Sequence, residues 1–180
     1  MQNQPHPPQR HVRRRQARER RAAGGAALSC TRRALFFFGS LFELARRRAD
    51  GDVVRARAAE WHVDPKRVGI VGFSAGAMTV LATAQQATGA ARPDFMGMIY
   101  GPTQTATVPT HPMPLFAAIA ADDRFFAKQD LGLFQAWRQA GGSIEGHLYA
   151  SGGHGFASTP GGNTSDLWFD QMMGWMKVQG

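Results

Sequence analysis

Cysteine is nearly absent from this chain: Cys30 is the only one in 180 residues. A lone thiol closes no internal disulfide and builds no Cys-rich zinc site, so a disulfide scaffold and a zinc-ribbon module are both excluded. No apolar run approaches the roughly 20 residues that a helical membrane span requires. No H-E-x-x-H segment occurs, and the six histidines lack ligand spacing. No metal and no cofactor is therefore implied. Internal repeats are missing as well. What remains is 43% hydrophobic, 10% aromatic and 19% charged, with 21 Gly and 10 Pro, a composition that suits one packed α/β domain.

Lysine is missing from the first fifty residues, yet 12 arginines stand there against only Glu19, Glu43 and Asp50. The rest of the chain is close to neutral, so the net charge of +8 belongs to the beginning of the sequence. Residues 1–49 read as an Arg-rich, flexible arm, because a stretch with Pro5, Pro7, Pro8 and so many charges buries too little apolar surface to offset its ordering entropy. Its one apolar block runs from Ala34 to Leu44. Such an arm either is a solvated tail or attracts nucleic acid or an anionic surface through charge alone. Arg32-Arg33 before apolar residues has the look of a twin-arginine export signal. Glu43 and Arg46-Arg47-Arg48 close that stretch quickly, however, and no small-residue cleavage site follows. A cytoplasmic location is the expectation, with export the lesser alternative.

Residues 50–180 carry ordinary α/β patterning. Helices are expected over Asp52–His62, Ala75–Ala87, Leu131–Ala140 and Ser165–Val178. Short apolar runs predict buried strands at Val68–Phe73, Phe95–Tyr100 and Leu115–Ala120, and Ile144–Tyr149 is expected as the last strand. Alternation at this spacing predicts a mostly parallel sheet with helices on both faces.

Gly72-Phe73-Ser74-Ala75-Gly76 matches G-x-S-x-G, and it falls where a predicted strand turns into a predicted helix. A sharp turn there lifts a serine hydroxyl above the sheet, with glycines where side chains would strike neighbouring backbone. The helix N-terminus supplies N–H groups to a developing oxyanion, and Ala75 is the natural donor. A serine nucleophile needs a base, and the base an orienting acid, in chain order Ser, Asp, His. His154 follows the last strand in the loop Ser151-Gly152-Gly153-His154-Gly155-Phe156. Asp122 and Asp123 both follow the penultimate strand. Register favours Asp123, whose neighbours Phe125 and Phe126 can anchor the loop, while Asp122 is left to cap the loop or to pair with Arg124. His6 and His11 lie in the arm, His62 precedes the serine, His111 sits in a Pro-rich loop and His147 inside a strand.

From about Val53 onward the sequence resembles an α/β-hydrolase of the acetyl-esterase and acetylxylan-esterase type. The resemblance is carried by Arg57-Ala58-Ala59-Glu60-Trp61, Asp64-Pro65-Lys66-Arg67-Val68-Gly69, the G-x-S-x-G segment, Pro114-Leu115-Phe116, Ala121-Asp122-Asp123, and His147-Leu148-Tyr149 through Gly152-Gly153-His154-Gly155-Phe156. It implies a reduced α/β-hydrolase fold and a carboxylic ester hydrolase acting on small acetyl-type esters through an acyl-enzyme. Ser74 would be the nucleophile, His154 the base and Asp123 the orienting acid. Ahead of Asp52, members of that family carry further strands and a Gly-rich oxyanion loop. Here Gly24-Gly25 stands among arginines and alanines, Phe38-Gly39-Ser40 is a weak substitute, and the arm reads as a segment foreign to the family joined near Asp50. Two expectations follow: a homo-oligomer that covers the missing strands, or a catalytically impaired hydrolase whose basic arm does the binding.

Overall fold

The computed structural model describes residues 35–38, 50–126 and 128–179. The readings that rest on the rest of the arm, including its charge-driven binding, Cys30, the export-like arginines, Gly24-Gly25 and the Gly39-Ser40 substitute, lie outside the described residues.

Among the described residues, five strands form one sheet in the order β1 (Leu35–Phe38), β2 (Val68–Phe73), β3 (Phe95–Ile99), β4 (Leu115–Ala120) and β5 (Ile144–Tyr149). Every neighbouring pair is parallel, with Phe38 opposite Val71, Gly72 opposite Met98, Ile99 opposite Ala118 and Ala120 opposite Tyr149. Strand β1 falls within the apolar block that the sequence reading assigned to the arm, and it joins the sheet beside β2.

Helices α1 (Asp50–Ala56) and α2 (Ala58–Trp61) precede β2, α3 (Ala75–Gln86) joins β2 to β3, α4 (Gly132–Gln139) joins β4 to β5, and α5 (Trp168–Val178) closes the fold. Alternate residues of each strand reach opposite layers, as a pleated strand requires. Ile70, Met96, Met98, Leu115 and Ala117 pack with Ala77 and Val80 of α3 and with Leu133 and Trp137 of α4. Val71, Phe95, Ile99, Phe116 and Ala118 pack with Met172, Trp175 and Met176 of α5. The expectation of helices on both faces is met. Burying Trp137 or Phe116, each 0% exposed, contributes on the order of 1.5–3 kcal/mol apiece. The Trp137 indole N–H donates to the Met113 carbonyl at 2.9 Å, so its one polar group is satisfied inside the core.

Two elements differ from the sequence-based expectation. The helix predicted over Asp52–His62 is two helices, interrupted at Arg57 (φ −105°), and it stops where His62 adopts φ 53°. That left-handed stop is made by a histidine rather than by the glycine or asparagine that usually announces one. The helix predicted over Ser165–Val178 begins instead as a 3₁₀ turn, Thr164–Leu167, before α5.

Candidate active site

The carboxyl ends of β2, β4 and β5 converge at one edge of the sheet, the usual place for a site in an open α/β fold. Strand β2 delivers Ser74. Its backbone sits at φ 53°, ψ −119°, between the last strand residue and the first residue of α3. That conformation is costly for a side-chain-bearing residue and persists where the surroundings over-determine it. Here the Ser74 N–H donates to the Ile99 carbonyl of β3 at 3.0 Å, and the Ala77 N–H donates to the Ser74 carbonyl at 3.0 Å. Gly72 explains why the turn can be so tight. A Cβ at that position would lie 2.2 Å from the Gly76 carbonyl oxygen and 2.7 Å from the Ala77 nitrogen, both of them backbone. The turn lifts Ser74 Oγ to 2.7 Å from His154 Nε2.

Strand β4 delivers two consecutive carboxylates that point to different partners. Asp123 is fully buried. Its Oδ2 lies 2.8 Å from His154 Nδ1, while its Oδ1 accepts the N–H groups of Phe125 at 2.8 Å and Phe126 at 3.3 Å. A buried carboxylate is tolerable when it is hydrogen-bonded all round, and this one is. Asp122 is exposed and turns to the backbone of the histidine loop. Its Oδ1 accepts the Gly153 N–H at 2.8 Å and its Oδ2 the Gly152 N–H at 3.3 Å. The Gly153 N–H holds the Asp122 carboxyl below its ordinary range, against a smaller opposing effect of desolvation, and the Gly152 N–H adds to the lowering. Of the two roles open to Asp122 in the sequence, the structure shows the loop contact.

Strand β5 ends at Tyr149, and the loop beyond it carries His154. Gly152, Gly153 and Gly155 adopt φ values of 144°, 65° and 89°. Three such residues in four make the loop cheap to bend but leave it little stiffness of its own. The His154 ring is held between aromatic rings, with centroids at 4.7 Å for Phe125, 5.1 Å for Tyr100 and 5.6 Å for Phe126. The Phe125–Phe126 pair thus packs on the imidazole itself. Tyr100 has no motif around it. Its one signal in the sequence is its place just beyond β3, beside the strand of the serine. Burial pushes its phenol pKa up.

Ser74, His154 and Asp123 therefore come together in one hydrogen-bonded line. Ala75 is the first residue of α3, so its N–H has no intrahelical acceptor and stands beside the serine. His147 is placed elsewhere: it stacks on Tyr149 at 6.0 Å and meets Glu145 at 3.0 Å. Among the described residues, no three His, Cys, Asp or Glu side chains gather as a metal site would. No described helix is long and apolar enough to cross a membrane.

The model of the dienelactone hydrolase family matches residues 22–175. The chain belongs to the dienelactone hydrolase family. The match begins well before Asp50, so the family's pattern runs through part of the stretch read as an arm. Comparison with curated proteins gives no match. Three solved structures show the fold of this dienelactone hydrolase family member. An α/β-hydrolase enzyme from a Medee basin deep-sea metagenome library is 19% identical with a TM-score of 0.66, over 77% of this chain and 65% of the other. An acetyl ester-xyloside bifunctional hydrolase from Caldicellulosiruptor lactoaceticus is 18% identical with a TM-score of 0.61, over 76% and 65%. A carboxylesterase from Lactobacillus plantarum is 22% identical with a TM-score of 0.64, over 79% and 70%. The chain thus spans just under two thirds of the length of the first two.

Proposed function

We propose that this protein is a serine esterase that hydrolyses small acyl esters of the acetyl type. The observation that carries the reading is the unbroken line from Ser74 Oγ through His154 to the buried Asp123, at 2.7 and 2.8 Å. These are the distances at which a base takes a proton and an acid steers the base. In the first half-reaction His154 Nε2 takes the hydroxyl proton as Oγ bonds to the ester carbonyl carbon. The carbonyl π pair moves onto oxygen, where the Ala75 N–H stabilises it. Collapse breaks the bond to the alcohol oxygen, which leaves with the proton from Nε2, and the acyl group stays on Ser74. In the second half-reaction water gives a proton to Nε2, attacks the acyl carbon, and releases the carboxylic acid as Oγ regains its proton.

Asp123 keeps Nδ1 protonated, so that Nε2 is the basic nitrogen, and it stabilises the imidazolium that forms in each step. The aromatic rings around His154 limit its rotation. A carboxylesterase and an acetyl ester-xyloside hydrolase among the structural neighbours support the substrate class. The family description adds a cyclic ester to the substrate panel, since ring-opening of a lactone uses the same steps.

The test is turnover of 4-nitrophenyl acetate by the whole protein beside Ser74→Ala, followed by the butyrate and octanoate esters and a lactone. Activity that vanishes with Ser74→Ala and falls with acyl length is the expected outcome. Equal rates with and without the serine hydroxyl would overturn the reading, and a preference for octanoate would overturn its substrate class.

A further inference from the structure

We propose that Asp122 is a positioning residue of this site, holding the backbone of the histidine loop while Asp123 holds the imidazole. The inference rests on the esterase reading and extends it to a residue outside the hydrogen-bonded line. Consecutive residues beyond a strand can direct their side chains apart, and here they do. Asp123 turns inward to Nδ1 at 2.8 Å, and Asp122 turns outward to two backbone N–H groups at 2.8 and 3.3 Å.

Those two N–H groups belong to Gly152 and Gly153, the residues immediately before His154. Both have φ in the range that favours glycine, so their dihedrals are the least restrained in the chain leading to the imidazole. A rigid support for the base has to come from outside the loop. Asp122 ties it to the turn that follows β4 and also carries Asp123, so base and acid are fixed to one frame. Support from the far side is weaker. Ser151 Oγ donates to Asn163 Oδ1 at 3.1 Å, one residue before the glycines. Ser165 packs against Gly152, but its buried hydroxyl makes no hydrogen bond among the described residues. Arg124, the alternative partner in the sequence, instead lies over the Phe125 ring at 4.7 Å.

Loss of Asp122 leaves no cavity, because the residue is exposed. The consequence expected is a displaced imidazole rather than an unfolded protein. A displacement of about 1 Å at a reacting group lowers turnover on the order of 100-fold.

The experiment compares the parent protein, Asp122→Ala and Asp122→Asn. Competent sites are counted with a fluorophosphonate, whose P–F bond breaks as Ser74 Oγ bonds to phosphorus, fluoride leaving and the hydroxyl proton passing to His154. Turnover of 4-nitrophenyl acetate is then expressed per labelled site. The expected result for Asp122→Ala is a kcat per site about 10- to 100-fold lower, slower labelling, and a KM within about two-fold of the parent. Asp122→Asn keeps one carbonyl acceptor for the Gly153 N–H and is expected to regain part of the loss, and it serves as the measured variant should the alanine protein not fold. A kcat per site equal to the parent's, with only the labelled fraction or the Tm reduced, would overturn the proposal and leave Asp122 a stability residue. A parent protein that takes no label would overturn the esterase reading itself, and this inference with it.

Discussion

Ser74 and His154 meet at 2.7 Å, yet the two regions that bring them there are built on opposite plans. The serine turn is held by backbone: strand β2 between β1 and β3, helix α3 behind it, and Gly72 packed against the Gly76 carbonyl with no room for a methyl group. The histidine loop is held by side chains. Its glycines supply the freedom to reach, and Asp122, Asp123, Tyr100, Phe125 and Phe126 take that freedom away again. Ser74 is therefore placed by packing that any change to the core disturbs, whereas His154 is placed by contacts that can be removed one at a time.

The sharpest way to break that comparison is at the reacting atoms, where both regions should fail alike. Ser74→Ala is expected to lower kcat for 4-nitrophenyl acetate by more than about 10⁴-fold, and Asp123→Asn by about 10⁴-fold through the wrong imidazole tautomer. Neither should much lower the Tm, since Asn keeps an acceptor for the Phe125 and Phe126 N–H groups. Away from those atoms the two regions should separate. Gly72→Ala forces a Cβ to within 2.2 Å of a backbone oxygen. It is expected to cost about 3 kcal/mol of stability, read by denaturant titration. A Gly72→Ala protein as stable as its parent would show that the turn is looser than its geometry. In the histidine loop the corresponding change is softer. Phe125 is 58% exposed, so Phe125→Ala should leave stability within about 0.5 kcal/mol. Losing its ring contact with His154 should nonetheless lower kcat/KM about 3- to 10-fold, the worth of one aromatic pair.

The two plans also decide what could be read in advance. The serine turn was legible because its requirements are local: an apolar run, two glycines, and a helix-forming stretch follow one another within the sequence. The bounds of β2 and β4 coincide with the apolar runs for the same reason. Register pointed to Asp123, and it is Asp123 that lies against His154. The double service of Asp122 and Asp123 was harder to see, because which way each carboxylate turns depends on a loop some thirty residues further along. Tyr100 was invisible as a neighbour of His154, since only the pairing of β3 with β2 and β4 brings it there. The break at Arg57 carries no glycine or proline to mark it, whereas the stop at His62 falls where the sequence reading ended that helix, just before Asp64-Pro65. Strand β1 was hidden among arginines, where charge patterning outweighed a short apolar stretch.

A change of pH reaches one region and spares the other. Tyr149 ends β5 at the root of the histidine loop, packs edge-on to Phe156 at 5.5 Å, and donates its phenol O–H to Gln171 Oε1. Burial pushes its pKa up from 10.0 to about 12. Below the unfolded value of about 10 the phenol is protonated in both folded and unfolded chains and confers no pH dependence. As pH rises from about 10 towards about 12, the unfolded chain releases the proton and the folded one keeps it, so stability falls. Denaturant titrations between pH 9 and 11.5 should show that fall, up to about 2 kcal/mol, in the parent. Tyr149→Phe should make it shallower, leaving the part that Tyr100, raised by burial as well, contributes, after losing about 1 kcal/mol at neutral pH with the Gln171 bond. The serine turn contains no group that titrates in this range, so Gly72→Ala should shift the whole curve without changing its slope. Parallel slopes for the Tyr149→Phe and parent proteins would mean that the root of the histidine loop is not where alkaline stability is lost, and that His154 rests on a firmer support than its glycines suggest.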